Sequence, residues 1–368
     1  MSSHPTRRDF IKTTALAAAA TPVLGALSPH VRAQRAPRPL GFALVGLGSL
    51  STNQIAPALL KTKNCRLAGI VTGTPAKAAK WKAQYNIPDR SIYNYDTMSQ
   101  MADNADIDVV YVVTPNALHA RDTIKAAQAG KHVLCEKPME VSSERCQAMI
   151  DACHTAGRKL AIGYRCQFDP HHLECARIAR TKELGEVRMI EAGFGFSIGD
   201  PTQWRLKRAL AGGGPLMDVG IYALQATRFI TGEEPIWVSA QETKSDFVKF
   251  KDVEESMTWQ LKFPGGVIAY SGTTYKVNGI NNFNVLADRG SFGMTPAYNY
   301  TGNRAWRSDG KPLAFTEIDQ FAAEMDDFAQ CIVENRASKV AGEEGLRDVK
   351  ILMAIYESAK TGKAVTLV

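Results

Sequence analysis

Along the first half of the chain, short apolar runs alternate with amphipathic stretches. The runs fall near residues 42–45, 67–71, 108–113, 132–135 and 160–162. Each is continuous and bounded by polar residues, the pattern of a strand buried on both faces of a parallel sheet. Between them, residues 53–61, 75–85, 117–129 and 142–157 repeat apolar positions at helical spacing and predict helices with one covered face. Strand–helix alternation from Gly41 to about Gly163 predicts a doubly wound sheet.

After Cys166 the pattern changes. Segments near 186–196, 236–244, 255–263 and 266–275 alternate apolar and polar positions, as in Met257, Trp259, Leu261 and Phe263. That period of two marks a sheet with one covered face. Pro264-Gly265-Gly266 reads as the turn of a hairpin, and residues 342–361 read as a last amphipathic helix. The predicted class is α/β. A Rossmann dinucleotide-binding domain over 41–165 precedes an α+β domain over 166–368 with an open, mostly antiparallel sheet. The last helix is free to pack back on the first domain.

The N-terminus fits neither pattern. Thr6-Arg7-Arg8-Asp9-Phe10-Ile11-Lys12 is a twin-arginine signature, followed by a modest apolar stretch over 13–27 and then Val31-Arg32-Ala33. Residues 1–33 are expected to be a signal peptide read by the twin-arginine export machinery, with a periplasmic destination. Pro22 and Gly25 interrupt the stretch, which falls short of the ~20 apolar residues a span needs, so no membrane span is expected. Residues 34–40 form a short arm.

Charge narrows the partners. The formal net charge is +7. Arg7, Arg8, Lys12 and Arg32 against Asp9 put +3 of it in the signal, which leaves +4 with no basic run. Nucleic acid is excluded as a partner on that ground. The seven cysteines include no Cys-x-x-Cys pair and read as buried free thiols. The histidines lack metal-site spacing, so no metal is expected.

The chemistry lies at strand ends. Gly46-Leu47-Gly48-Ser49-Leu50 follows the first strand, where Gly46 permits a tight turn and Gly48 a close approach to a pyrophosphate. Ser51 replaces the third glycine. The second strand ends at Thr72 without the carboxylate that grips a ribose diol, and Lys77 follows. A hydroxyl and an ammonium suit a 2′-phosphate, so the expected cofactor is NADP. Thr114, Pro115 and Asn116 end the fourth strand and His119 follows, on a loop beside the nicotinamide. Glu136-Lys137-Pro138 closes the fifth strand, with a candidate cis peptide at Pro138, and Arg165 follows the sixth. A triple glycine, 212–214, opens the helix carrying Asp218 and Tyr222, which are four apart and face one side. A tyrosine beside a lysine and a carboxylate can act as general acid/base, the ammonium favouring the phenolate.

Residues 130–138 (GKHVLCEKP), 162–170 (IGYRCQFDP), 204–214 (WRLKRALAGGG), 216–222 (LMDVGIY) and 342–345 (GEEG) carry a resemblance. The chain resembles the Gfo/Idh/MocA oxidoreductases, and within them the glucose–fructose oxidoreductase branch, which has tyrosine at position 222 where the family motif has histidine. The resemblance implies Lys137 as catalytic lysine, Tyr222 as acid/base and Asp218 as a substrate-orienting partner. It places Gly46, Leu47, Gly48, Ser49 and Leu50 at the pyrophosphate and Thr72 and Lys77 at the 2′-phosphate. It adds Tyr95, His119, Glu136, Arg165, Trp204, Arg205 and Tyr298 as cofactor contacts. That branch has a long N-terminal arm supporting a tetramer. Here about seven residues precede the first strand, so a homodimer is expected, formed through the outer face of the second sheet. The loop over 195–201 also departs from the branch and is expected to border the sugar. The implied activity is oxidation of an aldose at C1 to a lactone, with a second sugar carbonyl reduced by the same NADPH. The alternatives are a simple sugar dehydrogenase with exchangeable NADP(H) and a non-catalytic sugar sensor.

Overall fold

The computed structural model describes residues 38–367. The expected signal peptide, with most of the short arm, lies outside the described residues. Six parallel strands form the first sheet: β1 (Leu40–Val45), β2 (Cys65–Val71), β3 (Ile92–Tyr93), β4 (Val109–Val112), β5 (His132–Glu136) and β6 (Leu160–Gly163). Their order is β3-β2-β1-β4-β5-β6, with β1 paired in parallel to both β2 and β4. The order therefore reverses between β1 and β4, and the crevice beyond their carboxyl ends is where ligands of such sheets bind. The apolar runs are strands because helices cover both faces, so nearly every strand residue is buried. Two-residue β3 had no apolar run to announce it.

The connections are α1 (Ala56–Leu59), α2 (Pro75–Tyr85), α3 (His119–Gln128) and α4 (Ser143–Thr155). A π-helical turn, Ser51–Ile55, precedes α1. The helix after β2 starts with Pro75 at its first position and ends on Asn86 in the left-handed region, φ 52°, the start and stop chemistry that helices favour.

The second sheet has eight strands in the order β13-β12-β11-β7-β10-β9-β8-β14. They are β7 (Val187–Gly195), β8 (Trp237–Thr243), β9 (Ser256–Lys262), β10 (Ile268–Thr274), β11 (Ile280–Ala287), β12 (Gly290–Met294), β13 (Ala305–Arg307) and β14 (Val365–Thr366). Only β7 and β10 pair in parallel; the other ladders are antiparallel. The helices of this half of the chain are α5 (Pro170–Arg180), α6 (Arg208–Ala211), α7 (Ile221–Thr231), α8 (Gln320–Val333) and α9 (Gly342–Thr361), of which α8 packs on α1 and β2 of the first sheet. Met257, Trp259, Leu261 and Phe263 are all buried on the helix-covered face, where α7 packs on β7 and β10 and α9 on β8. The last helix also packs on α4 and β6 of the first sheet. The opposite face carries Met189, Ile268, Tyr270 and Leu286, each partly exposed, among polar residues such as Glu191 and Gln260.

Both sheets belong to one compact unit that begins at Pro39. All seven cysteines are unpaired; six are buried and Cys166 is half-buried. Among the described residues no helix is long and apolar enough to cross a membrane.

Candidate active site

The crevice begins at the turn after β1. Gly46 has φ +92°, and a Cβ there would lie 2.8 Å from the Val113 carbonyl oxygen. Only glycine lets the ends of β1 and β4 approach so closely. A Cβ on Gly48 would meet nothing within 4 Å, so that backbone faces open space. Ser51 Oγ donates to the Gly46 carbonyl at 2.6 Å, which closes the turn and explains serine where the motif has a third glycine. No acidic residue stands in the first turn of the helix that follows. Exposed backbone N–H groups at an uncharged helix start fit a pyrophosphate.

At the end of β2, Thr72 Oγ1 accepts the Thr74 N–H at 3.2 Å. The Lys77 ammonium reaches back from α2 and donates to the Leu47 carbonyl at 3.0 Å. A cation thus ties α2 to the glycine turn, and it has no ion-pair partner among the described residues. Tyr95 lies against Gly73, with the Arg121 guanidinium 5.3 Å over its ring. This cluster fits the phosphorylated ribose end of a dinucleotide.

The side chains of the loop after β4 are bonded within the protein. Thr114 Oγ1 donates to Asp122 at 2.9 Å, and Asn116 donates to the Ala211 carbonyl at 2.8 Å. His119 is buried, with Nε2 2.7 Å from the Thr114 carbonyl and Nδ1 3.0 Å from that of Pro138. These side chains are engaged within the protein: they hold the β4 loop to α6 and to the Glu136-Lys137-Pro138 turn. Pro115 starts the short helix Asn116–Leu118. The Lys137–Pro138 peptide is cis, in line with the sequence reading.

Lys137, Asp218 and Tyr222 come together. The Lys137 Nζ donates to the Asp218 carbonyl at 2.7 Å, lies 3.9 Å from its carboxylate and stands 4.7 Å from the centre of the Tyr222 ring. Asp218 Oδ2 accepts the Tyr275 hydroxyl at 2.8 Å and lies 3.0 Å from Arg205 Nε. Burial alone would raise the Asp218 carboxyl, but Arg205 and Lys137 outweigh it and hold it below the usual carboxylate range. Trp204 stacks on the Arg205 guanidinium at 4.7 Å. The first turn of this segment is anchored from below. The buried Glu254 carboxylate accepts the Gly214 and Leu216 N–H groups at 2.9 and 3.1 Å and the Tyr356 hydroxyl at 2.8 Å. A Cβ on Gly213 would sit 1.8 Å from that hydroxyl, which is why the segment needs glycine.

Arg165 forms the other wall. It is buried; Nη2 donates to the Tyr298 carbonyl at 2.6 Å, and Nη1 donates to the Asn299 carbonyl at 3.0 Å and to the Gln320 side chain. Its guanidinium lies 5.1 Å from the Tyr222 ring and 4.6 Å from that of Tyr300. Burial pushes the Tyr222 phenol up, and Arg165 is the strongest charge opposing it. Two cations thus stand by the ring, Arg165 at 5.1 Å and Lys137 at 4.7 Å, where the sequence reading named Lys137 alone. Tyr298 is expected to touch the cofactor, yet it is buried beneath Tyr222, 5.7 Å away, and stacked on Phe194 at 5.2 Å. Tyr300, two residues on and partly exposed, has its ring nearest the Arg165 guanidinium. Glu136 lies behind the lysine, accepting the Tyr111 hydroxyl at 2.8 Å and the Lys137 N–H at 3.2 Å.

Tyr275, Tyr300, Gln320, Glu254 and Tyr111 were not singled out in the sequence. The loop over 195–201 is pinned by Ile198, which is buried with Leu206, Phe250, Val253 and Tyr275, so it reaches Asp218 through Tyr275. Three cations, one tyrosine and one carboxylate thus surround a point at the mouth of the dinucleotide crevice. Such a set can orient a hydroxyl, move its proton and stabilise the oxyanion.

Residues 40–164 match the model of an oxidoreductase family with an NAD-binding Rossmann fold, and residues 172–293 match the GFO/IDH/MocA C-terminal domain. The chain belongs to the Gfo/Idh/MocA oxidoreductase family. Among its Gfo/Idh/MocA relatives is the D-xylose 1-dehydrogenase [NADP(+)] of Haloarcula marismortui, 32% identical over 89% of this chain and 93% of that one. A similar solved structure is the aldose-aldose oxidoreductase from Caulobacter crescentus complexed with glycerol. It has 44% identity and a TM-score of 0.87 over 90% of this chain and all of that one. Both of these relatives are sugar oxidoreductases, and the chain belongs to that sugar oxidoreductase family, with an NAD(P)-binding Rossmann fold.

Proposed function

We propose that this protein is a periplasmic, NADP-dependent oxidoreductase that oxidises an aldose at C1 to a lactone and reduces a second sugar carbonyl with the same bound cofactor. The observation that carries the reading is the meeting of Lys137, Tyr222, Asp218 and Arg165 around one point at the crevice mouth. Gly46 to Leu50 would hold the pyrophosphate, and Thr72, Lys77 and Tyr95 the 2′-phosphate end. The bound nicotinamide supplies the hydride acceptor in one half-reaction and the donor in the other. Lys137 orients the reacting oxygen. Tyr222 takes the hydroxyl proton in oxidation and returns it to the carbonyl oxygen in reduction, with Arg165 lowering the cost of the phenolate. Asp218, fixed by Arg205 and Tyr275, keeps the lysine in place and turns one oxygen toward the sugar. The aldose–aldose activity of the Caulobacter protein supports the two-sugar cycle.

The test is an absorbance spectrum of the purified protein. A nicotinamide band that appears with an aldose and vanishes on adding a second sugar, with no free cofactor present, is expected. A band that survives the second sugar and grows with aldose when free NADP is added would favour the second reading, a simple dehydrogenase, which the Haloarcula D-xylose 1-dehydrogenase supports.

We also propose a homodimer through the outer face of the second sheet, where Ile268, Tyr270 and Leu286 are partly exposed. Light scattering should give about 75 kDa for the mature chain at ~0.11 kDa per residue. A value near 37 or 150 kDa on the same scale would overturn it. Export rests on the twin-arginine signature; changing Arg7 and Arg8 to lysine should retain the protein in the cytoplasm.

A further inference from the structure

Behind the catalytic lysine lies a second buried acid that the reaction does not use. Tyr111, on β4, is fully buried, and Glu324, on α8, is 1% exposed. The Tyr111 hydroxyl is 2.8 Å from Glu136 Oε1 and 3.4 Å from Glu324 Oε2. Glu136 Oε2 accepts the Lys137 N–H. The other Glu324 oxygen has no hydrogen-bond partner among the described residues. A phenol has one hydrogen, and the shorter contact takes it to Glu136. The longer contact then has a donor only if Glu324 carries the proton. An ionised Glu324 would leave a buried oxygen anion bare beside a second carboxylate, which is costly.

We propose that Glu324 is held as a neutral carboxylic acid at neutral pH and acts as a positioning residue, donating to Tyr111 and so fixing the Glu136 carboxylate behind Lys137. The hydrogen bonds converge on Glu136: Glu324 donates to Tyr111, Tyr111 donates to one oxygen of Glu136, and the Lys137 N–H donates to the other. It ties α8 to the turn that presents the lysine. The surrounding groups agree. Glu136 and Tyr111 face Glu324 from the first sheet, Arg165 and Cys166 from the turn after β6, and Lys339 from the segment before α9. Burial, and then repulsion from Glu136, push its carboxyl well up, and the cations do not reverse this.

The test is the infrared spectrum of the whole protein at neutral pH, wild type minus Glu324→Gln. The proposal expects a carbonyl band of a protonated carboxyl, shifted in heavy water and absent from the variant. It also expects Glu324→Gln, which keeps the donor and the shape, to hold kcat within about threefold, less than the loss of one hydrogen bond. A difference spectrum showing carboxylate bands, or a kcat loss above about tenfold with cofactor still bound, would overturn it. If Glu324→Gln does not fold, Tyr111→Phe carries the test. Loss of the bridge should shift the acid's carbonyl band, and an unshifted spectrum would overturn the proposal. The role of the chain rests on Lys137 as the catalytic lysine, but the infrared result does not depend on the sugar or on turnover.

Discussion

The two sheets serve the crevice by different means. The six-stranded sheet offers strand ends: a glycine turn, the Thr72–Lys77 corner and the Lys137 turn, shaped mainly by backbone. Its polar side chains Thr114, Asn116 and His119 are bonded inward and hold loops. The eight-stranded sheet offers a helix lying on its face, with Asp218, Tyr222 and a ring of partners that act through side chains: Arg205, Tyr275 and, through Tyr298, Arg165. Backbone geometry suits a cofactor whose pyrophosphate is the same in every turnover. Side-chain clusters suit a substrate that must be distinguished from its relatives. Changes on the first side should therefore be read in cofactor binding, and changes on the second in rate and sugar preference.

The sharpest break of that comparison is at the point where the two sides meet. Tyr222→Phe keeps the ring and removes the hydroxyl; turnover should fall ~10²–10⁴-fold with NADP binding intact. Lys137→Ala should be at least as damaging, because the Asp218 carbonyl also loses its donor. Stopped-flow kinetics beside cofactor titration checks both, and survival of activity would reduce Tyr222 to a core residue. Next comes the anchor under the catalytic segment. Glu254→Gln leaves two N–H groups and a hydroxyl without a carboxylate and should lower stability by about 3 kcal/mol, the upper range for buried bonds to a charge. Denaturant titration measures it, and an unchanged midpoint would remove Glu254 from the argument.

On the cofactor side, Lys77→Ala should weaken NADP binding by ~1–3 kcal/mol and leave NAD nearly untouched. Calorimetry with both cofactors decides this; equal losses would mean that Lys77 supports the glycine turn and does not read a phosphate. The smallest effect should come from Tyr356→Phe. It removes one donor of three from Glu254 and should cost about 1 kcal/mol of stability with kcat unchanged. A large fall in kcat would show that the anchor tunes chemistry as well as structure.

The legibility of the sequence follows the same division. Strands of the first sheet are continuous apolar runs because both faces are covered, and the strand-end motifs sit where runs stop. The alternation of Met257, Trp259, Leu261 and Phe263 likewise showed a covered face. Residues that reach the site across the fold left no such signal. Gln320 and Glu324 look like the polar stripe of a surface helix. They are buried because α8 lies against Arg165 and the back of Glu136. Tyr275 reads as one more aromatic at a strand end, and nothing local marks it as the partner of Asp218. The segment of Tyr298 has no period, so its burial against Tyr222 could not be told from the exposure of Tyr300 two residues on.

The seven unpaired thiols have a consequence for the life of the molecule. Burial pushes Cys146, Cys153 and Cys175 up to about 12 and Cys166 up to about 11, so in the native state almost none is a reactive thiolate. Once unfolded, every one of them becomes an ordinary cysteine, free to cross-link in any combination. The native fold thus shields its own thiols, and denaturation is expected to be reversible only while a reductant is present. Repeated heating scans with and without a thiol reductant should show this as recovery in one case and a one-way loss in the other.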